Sequence, residues 1–246
     1  MLSFIVPAYN EEHELPAALA ALRAAADASG HPYQVIVVDD DSSDRTAEIA
    51  RDAGAVVVPV RRRQIAAVRN AGARAARGDV LFFVDADTQI SAVHVSGALQ
   101  ALAEGYAGGG ARVQTDGSVP LWGKIFVWIF CTLYFAVNLG AGAFLFTTRE
   151  NFEAVGGFDE QLFAGEEVYL TMALKKLGRF KLLRQPVITS GRKLRMHSGR
   201  YILAQTFVLA FGGRRGVQSR EKLDLWYDGK RESAAGAAPA EASDRR

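Results

Sequence analysis

Carboxylates recur in pairs where apolar runs end. The run "VLFFVDADT" (80–88) stops on Asp85 and Asp87, "YQVIVVDDD" on Asp39 to Asp41, and "LSFIVPAYNEE" on Glu11 and Glu12, while a later "GEEVYL" holds Glu166 and Glu167. Side chains alternate along an extended chain, so Asp85 and Asp87 point to one side if the extended conformation continues past Val84, and like charges there repel unless a cation lies between them. Any one of these acids alone reads as a helix N-cap. Four clusters in succession read otherwise. With the first three on one sheet edge they form a negative mouth, unsuited to a bare phosphate but suited to a phosphate that arrives with Mg²⁺ or Mn²⁺, both of which take oxygen ligands.

The elements that must position these acids follow from patterning. Apolar runs at "LSFIV", "YQVIVVD", "AVVVPV" and "VLFFVD" alternate with segments of helical spacing, which predicts an α/β fold with a mostly parallel sheet covered by helices. Residues 14–28 place Leu15, Leu19 and Leu22 on one stripe, with Pro16 tolerated in the first turn. A second helix is expected from an N-cap at Ser42 or Ser43 to Gly54, and a third over "RQIAAVRNAGARAARG", closing at Gly78. All three follow strand ends, where open α/β sheets bind ligands. After Gly105 the alternation fades into "GGGARVQTDGSVP", read as a loop. Beyond it come an apolar segment, the turn "AVGGFDE", a helix in "EEVYLTMALKKLG", a strand around "FKLLRQPVIT" and an apolar helix over residues 200–212.

Composition narrows the function classes. The chain has 246 residues, enough to bury a core without staples, and its single cysteine, Cys131, forms no internal disulfide, which fits a reducing compartment. The short apolar run before Pro7 has no basic leader and does not read as a signal peptide. The net charge of +2 conceals an asymmetry: residues 189–246 carry 12 Lys/Arg against 6 Asp/Glu. No nucleic-acid partner is expected. Residues 125–146 are 22 residues without a charge, but "GAGAFLFTT" suits a buried strand, leaving three readings: a membrane span, a helix lying on a membrane or partner, and plain core.

The segments "SFIVPAYNEE", "VIVVDDDSSDRT", "AVRNAGARAARGDVLFFVDADT" and "VGGFDEQLFAGEEVYL", in this order and spacing, resemble the family 2 inverting glycosyltransferases of GT-A fold over about residues 1–190. That resemblance implies a Rossmann-like, mostly parallel central sheet flanked by helices, with a small antiparallel part in the second half. Length and composition make one domain over residues 1–232 the expectation, with an apolar, basic helical segment (200–232) before a tail (233–246) that lacks bulky apolar residues and is expected to be disordered; the resemblance divides the rest into a nucleotide-binding half (1–104) and an acceptor and catalytic half (105–199). Pro7, Ala8, Tyr9 and Glu11 would line the pocket for base and ribose, Asp39 would accept from the N3–H of uracil, and Arg69 would approach the nucleotide or its phosphates. Asp85 and Asp87 look like the family's metal motif, with Asp87 the direct ligand of Mn²⁺ or Mg²⁺ and Asp85 or Ala86 nearer the ribose. Glu167 stands where the family has its catalytic base, with Glu166 the alternative, and Gly140 and Gly142 would let a donor sugar approach. Departures are Asp41 for a glycine, Glu167 for an aspartate, Tyr169 for another aspartate, and Thr189 and Ser190 near the place of a late metal-binding histidine, with His197 further on. Arg192, Lys193 and Arg195 would grip a diphosphate or an acceptor phosphate. No Q-x-x-R-W signature of processive synthases occurs, which favours single-sugar transfer.

The acceptor is the least legible part. Trp122, Phe126, Trp128, Phe130, Tyr134 and Phe135 crowd one segment, and Arg200 to Arg215 bracket a second apolar one, as at a membrane interface with anionic lipid. The expectation is a UDP-sugar donor and a lipid-linked acceptor, used peripherally on the cytoplasmic membrane face; a homodimer interface is the other use of the same segment. Competing classes are a nucleotidyltransferase, disfavoured because "PAYNEEHE" is acidic and lacks glycine, a dinucleotide-binding dehydrogenase, which would need G-x-G-x-x-G, and a non-catalytic nucleotide-sugar-binding or membrane-assembly module, favoured by Glu167 and Tyr169.

Overall fold

A computed structural model describes residues 1–116, 120–136, 138–196, 198–202 and 218. The readings placed on His197, on residues 203–217 and on the tail, together with the side chains of Phe126, Phe130 and Tyr134, lie outside the described residues. The first half alternates: β1 (Leu2–Ala8), α1 (Leu15–Asp27), β2 (Tyr33–Asp39), α2 (Thr46–Asp52), β3 (Val56–Pro59), α3 (Ile65–Ala75), β4 (Val80–Val84), β5 (Thr88–Gln89) and α4 (Ala92–Ala103). The second half runs β6 (Gly108–Thr115), α5 (Leu121–Ala136), β7 (Phe144–Thr148), α6 (Arg149–Ala154), α7 (Glu166–Leu177), β8 (Phe180–Thr189) and α8 (Arg192–Met196).

Among the described residues these strands form one eight-stranded sheet in the order β3-β2-β1-β4-β7-β6-β8-β5. The β1–β2, β2–β3, β1–β4 and β6–β8 pairs are parallel, and β4–β7, β6–β7 and β5–β8 are antiparallel. The expected fold class is therefore the one observed. Winding reverses between β1 and β4, and open α/β sheets bind ligands in the crevice at such a reversal, outside the carboxyl ends of the strands. Pro7 sharpens that crevice. The β1–β4 ladder ends at Ile5–Phe83, before the chain reaches a residue with no N–H to give. Two apolar layers sandwich the sheet: Phe4, Phe82, Phe144 and Phe146 with α1 and α4 on one face, and Ile5, Ile36, Phe83 and Phe158 with α3 and α7 on the other.

Two sequence readings need correction. "GGGARVQT" is a strand, because β7 and β8 supply the bulk that its glycines lack; a Cβ on Gly109 would overlap the Phe146 ring and the Lys181 carbonyl oxygen. Helix α2 begins at Thr46, not at a serine cap, because Ser42 and Ser43 are held elsewhere: Ser42 Oγ accepts from the Asn10 N–H (3.0 Å), and the Ser43 N–H donates to Asn10 Oδ1 (2.8 Å). The apolar stretch at 125–146 divides into the end of α5, a connection and β7, and no helix among the described residues is long and apolar enough to cross a membrane.

Overpacking a filled strand interface typically costs about 1–3 kcal/mol. Gly109→Ala is therefore expected to lower the urea midpoint of unfolding at unchanged slope.

Candidate active site

The carboxyl ends of β1, β2 and β4 share one sheet edge, and the loops that leave them are fixed by hydrogen bonds made early in the chain. The Glu11 N–H donates to the buried Thr46 hydroxyl (2.7 Å), and the Glu12 N–H donates to Asp44 (3.2 Å), which also accepts from the Thr46 N–H and hydroxyl. The three consecutive aspartates then take different places. Asp39 ends β2 beside Ala8, 8 % exposed, and its Oδ1 is buried without a hydrogen-bond partner. Asp40 accepts from the N–H groups of Arg62 (2.6 Å) and Arg63 (2.8 Å). Asp41 turns outward to Arg61 and Arg63 with φ +61°, a left-handed backbone that suits the glycine usual there and that aspartate tolerates. Tyr9, half-buried at the end of β1, carries the Arg63 guanidinium over its ring at 3.8 Å.

Asp85 and Asp87 leave β4 toward different arginines. Arg69, on α3 and 2 % exposed, donates to Asp85 (2.7 Å), to the Gly142 carbonyl (3.0 Å) and to Glu166. Burial works against the guanidinium's charge, but Asp85 and Glu166 hold it more firmly protonated than usual. The guanidinium thus faces inward. Gly142 is small for this arginine's sake: a Cβ there would stand 2.9 Å from Arg69 Nη2. The neighbouring Asn70 clamps the "GGFDE" turn, donating to the Phe158 carbonyl (2.8 Å) and accepting from its N–H (3.0 Å), so α3 also sets the approach to α7.

Asp87 meets the far end of the chain. Arg192, at the start of α8, makes a two-pronged pair with Glu11 (2.5 and 2.7 Å) and stands 3.3 Å from Asp87 Oδ2. Thr189, near the place read for a late histidine, donates its hydroxyl to Asp87 Oδ1 (3.2 Å). Burial pushes the Asp87 carboxyl up to about 6; Arg192 opposes the rise, and Asp85 and Glu11 add to it. Glu11, Asp85 and Asp87 lie close enough to feel one another, but the chain turns at Ala86 and Asp87 instead of staying extended, so the alternation reading does not hold there and the two aspartates meet different arginines. No set of three His, Cys, Asp or Glu side chains among the described residues forms a ready cage for a metal. That donor set fits a cation which, like Mg²⁺, takes one or two carboxylates and completes its shell with substrate phosphate and water.

Glu166 and Glu167 open α7, whose N-terminus favours negative charge. They differ in access. Glu166 is 3 % exposed and committed to Arg69, whereas Glu167 is only partly buried. Burial raises both carboxyls; Arg69 opposes this at each, and the Glu166 charge raises Glu167 further. A carboxyl so raised takes up a proton more readily than an ordinary glutamate. Thr46, Asn70, Asp44 and Thr189 complete the site without having been singled out as ligands; only the "DRT" and "RNAG" strings hinted at the first three.

The glycosyl transferase family 2 profile matches residues 3–154. An undecaprenyl-phosphate 4-deoxy-4-formamido-L-arabinose transferase of Aeromonas hydrophila subsp. hydrophila is 36% identical over 113 residues, covering 43% of this chain and 35% of that protein. The chain matches only about a third of the length of such curated relatives. Among solved structures, S. aureus TarS 1-349 in complex with UDP-GlcNAc superposes with a TM-score of 0.61 at 19% identity, covering 85% of this chain and 65% of that one. The mannosyltransferase PcManGT from Pyrobaculum calidifontis, in complex with GDP-Man and Mn2+, gives 0.61 at 18% identity, covering 93% and 68%. At these identities the likeness concerns the fold, which is GT-A. With the profile spanning β1 through α6, and so the acids that leave β1, β2 and β4 though not those of α7, the chain belongs to glycosyl transferase family 2.

Proposed function

We propose that this chain transfers a single sugar, with inversion, from a nucleoside-diphosphate donor, UDP-linked, to an oxygen of a lipid-linked acceptor at the cytoplasmic membrane face. The buried, unpartnered Oδ1 of Asp39 carries the donor half of this reading. An orphaned buried acceptor costs about 1–3 kcal/mol until a donor reaches it, and the N3–H of uracil is such a donor. Pro7, Ala8 and Tyr9 line the same crevice, so the base lies beside the β1 end and the diphosphate beside Glu11, Asp85, Ala86 and Asp87. The acceptor half rests on relatives named for undecaprenyl phosphate.

Asp87, with Asp85, would hold a divalent cation; bound with the donor, the cation neutralises charge developing on the departing diphosphate. Arg192 supplies fixed positive charge on the same side. For a hydroxyl acceptor, Glu167 takes the proton while the acceptor oxygen bonds to the anomeric carbon and the bond from that carbon to the diphosphate oxygen breaks. Glu166, held by Arg69, positions the helix that presents Glu167. The chemistry needs a base on the face opposite the leaving group, and one carboxylate suffices.

Two outcomes test these roles. Glu167→Gln is expected to keep the thermal shift given by UDP and to lose about 10²–10⁴-fold in turnover; unchanged turnover would mean an acceptor oxygen already ionised, such as a phosphate, and would remove Glu167 as base. For Asp87 the readout is stability. The folded metal-free protein holds its proton up to about 6 and the unfolded chain releases it near 3.8. Stability therefore falls as pH rises through that window, because the folded state binds more protons there. Asp87→Asn is expected to flatten this fall in melting temperature and to abolish stabilisation by Mn²⁺ added with UDP.

A further inference from the structure

Helix α5 presents apolar side chains to solvent in an ordered way. Leu121 is 74 % exposed, Ile125 51 %, Trp128 70 % and Ile129 46 %. Their spacing of four, then three, then one residue puts all four on one stripe, with Thr132 continuing it. The side that packs begins at the edge of this stripe: Trp122 lies against Leu194, Ile202 and Gly199, and Gly123 faces Leu194. The helix is therefore attached to α8 by one side at its N-terminal end and shows bulk on the other. Scattered exposed hydrophobes are ordinary, whereas a continuous stripe marks an interaction surface.

Charge selects the occupant. Residues 117–136 and 191–202 contain no Asp or Glu; Lys124, next to the stripe on α5, and Arg200 are exposed, and Lys193 and Arg195 sit on α8, Arg195 3.3 Å from Asp116. Pairing two copies of this face about a two-fold axis would bring like charges together. An anionic bilayer answers both halves of the surface, taking the apolar stripe at the acyl boundary and the basic rim at the headgroups. Sixteen residues rise only about 24 Å, short of the ~30 Å hydrocarbon core, so the helix lies along the interface and does not cross it. A tryptophan on such a stripe suits headgroup depth.

We infer that the Leu121–Ile125–Trp128–Ile129 face of α5, with Lys124 and Arg200, docks the protein on an anionic lipid surface. Because α8 carries both Leu194, which holds α5, and Arg192, which meets Glu11 and Asp87, docking fixes the position of the candidate active site relative to the lipid. This deepens the lipid-linked acceptor reading, but binding to vesicles needs no catalysis and is measured separately.

The test is sedimentation of the full chain with phosphatidylcholine vesicles, with and without phosphatidylglycerol, at low and high salt. Wild type is expected to sediment with the anionic vesicles at low salt and to be released by salt. Trp128→Ala and the Ile125→Glu/Trp128→Glu double variant are expected to weaken this by about tenfold or more, and Lys124→Ala by about fivefold. The UDP thermal shift should persist in all of them and reports that each variant is folded. Equal recovery of wild type with neutral and anionic vesicles, or undiminished binding by folded Trp128→Ala and double variants, overturns the inference. So does a two-chain mass in size-exclusion light scattering that Trp128→Ala reduces to one, which would assign the face to a second copy. Vesicle binding by a chain that no nucleotide stabilises would reject the proposed transfer and leave the docking surface standing.

Discussion

One buried guanidinium sets the geometry on which the rest depends. Arg69 is enclosed between α3, the exit of β4, the segment before β7 and the start of α7, and it is tolerable there only because Asp85, Glu166 and the Gly142 carbonyl surround it. A charge in such a place costs several kcal/mol if left alone, so each partner is held as firmly as the arginine. Three elements distant in sequence are thereby indexed to one planar group. Asp85 cannot drift from the acid that opens α7 without stranding the charge between them.

This explains which parts of the site were legible in the sequence. Acids at strand ends could be read because period-two apolar runs announce a strand and the first polar residue announces its exit. The partition of Asp39, Asp40 and Asp41 could not be read that way. Three identical residues in a row differ only in which neighbours the β2 exit offers: a buried position beside Ala8, the amides of Arg62 and Arg63, and the outward side chains of Arg61 and Arg63. Arg69 was visible as part of a motif, but resemblance directed it toward a nucleotide, whereas long-range pairing turns it inward. The same reasoning covers the strand made of "GGGARVQT", which has no apolar signature because Phe146 and its neighbours occupy the space its side chains would have filled. Helix α4 was not anticipated, since its buried stripe is His94, Val95, Ala98 and Ala101, too weak a pattern to stand out locally.

The two halves of the sheet divide the labour. The β3-β2-β1-β4 portion provides the crevice and the acids at its rim, and the β7-β6-β8-β5 portion returns Thr189 and Arg192 to the same acids through the antiparallel β5–β8 pair. Glu166 and Glu167 reach the edge from α7, and Asn70 on α3 holds the Phe158 turn that precedes it. The carboxylates that leave β4 and those that open α7 are thus carried on separate supports that meet at Arg69.

Glu11 and Arg192 lie 181 positions apart along the chain. During synthesis on the ribosome the acids of the first half emerge long before their C-terminal counter-ion exists. The growing polypeptide can stack its early strands and close its apolar layers, yet Glu11 and Asp87 stay solvated until β8 and the start of α8 arrive. Completion of the pocket therefore comes late in biogenesis, and a chain released before residue 192 would keep much of its scaffold while leaving Glu11 and Asp87 without this counter-ion.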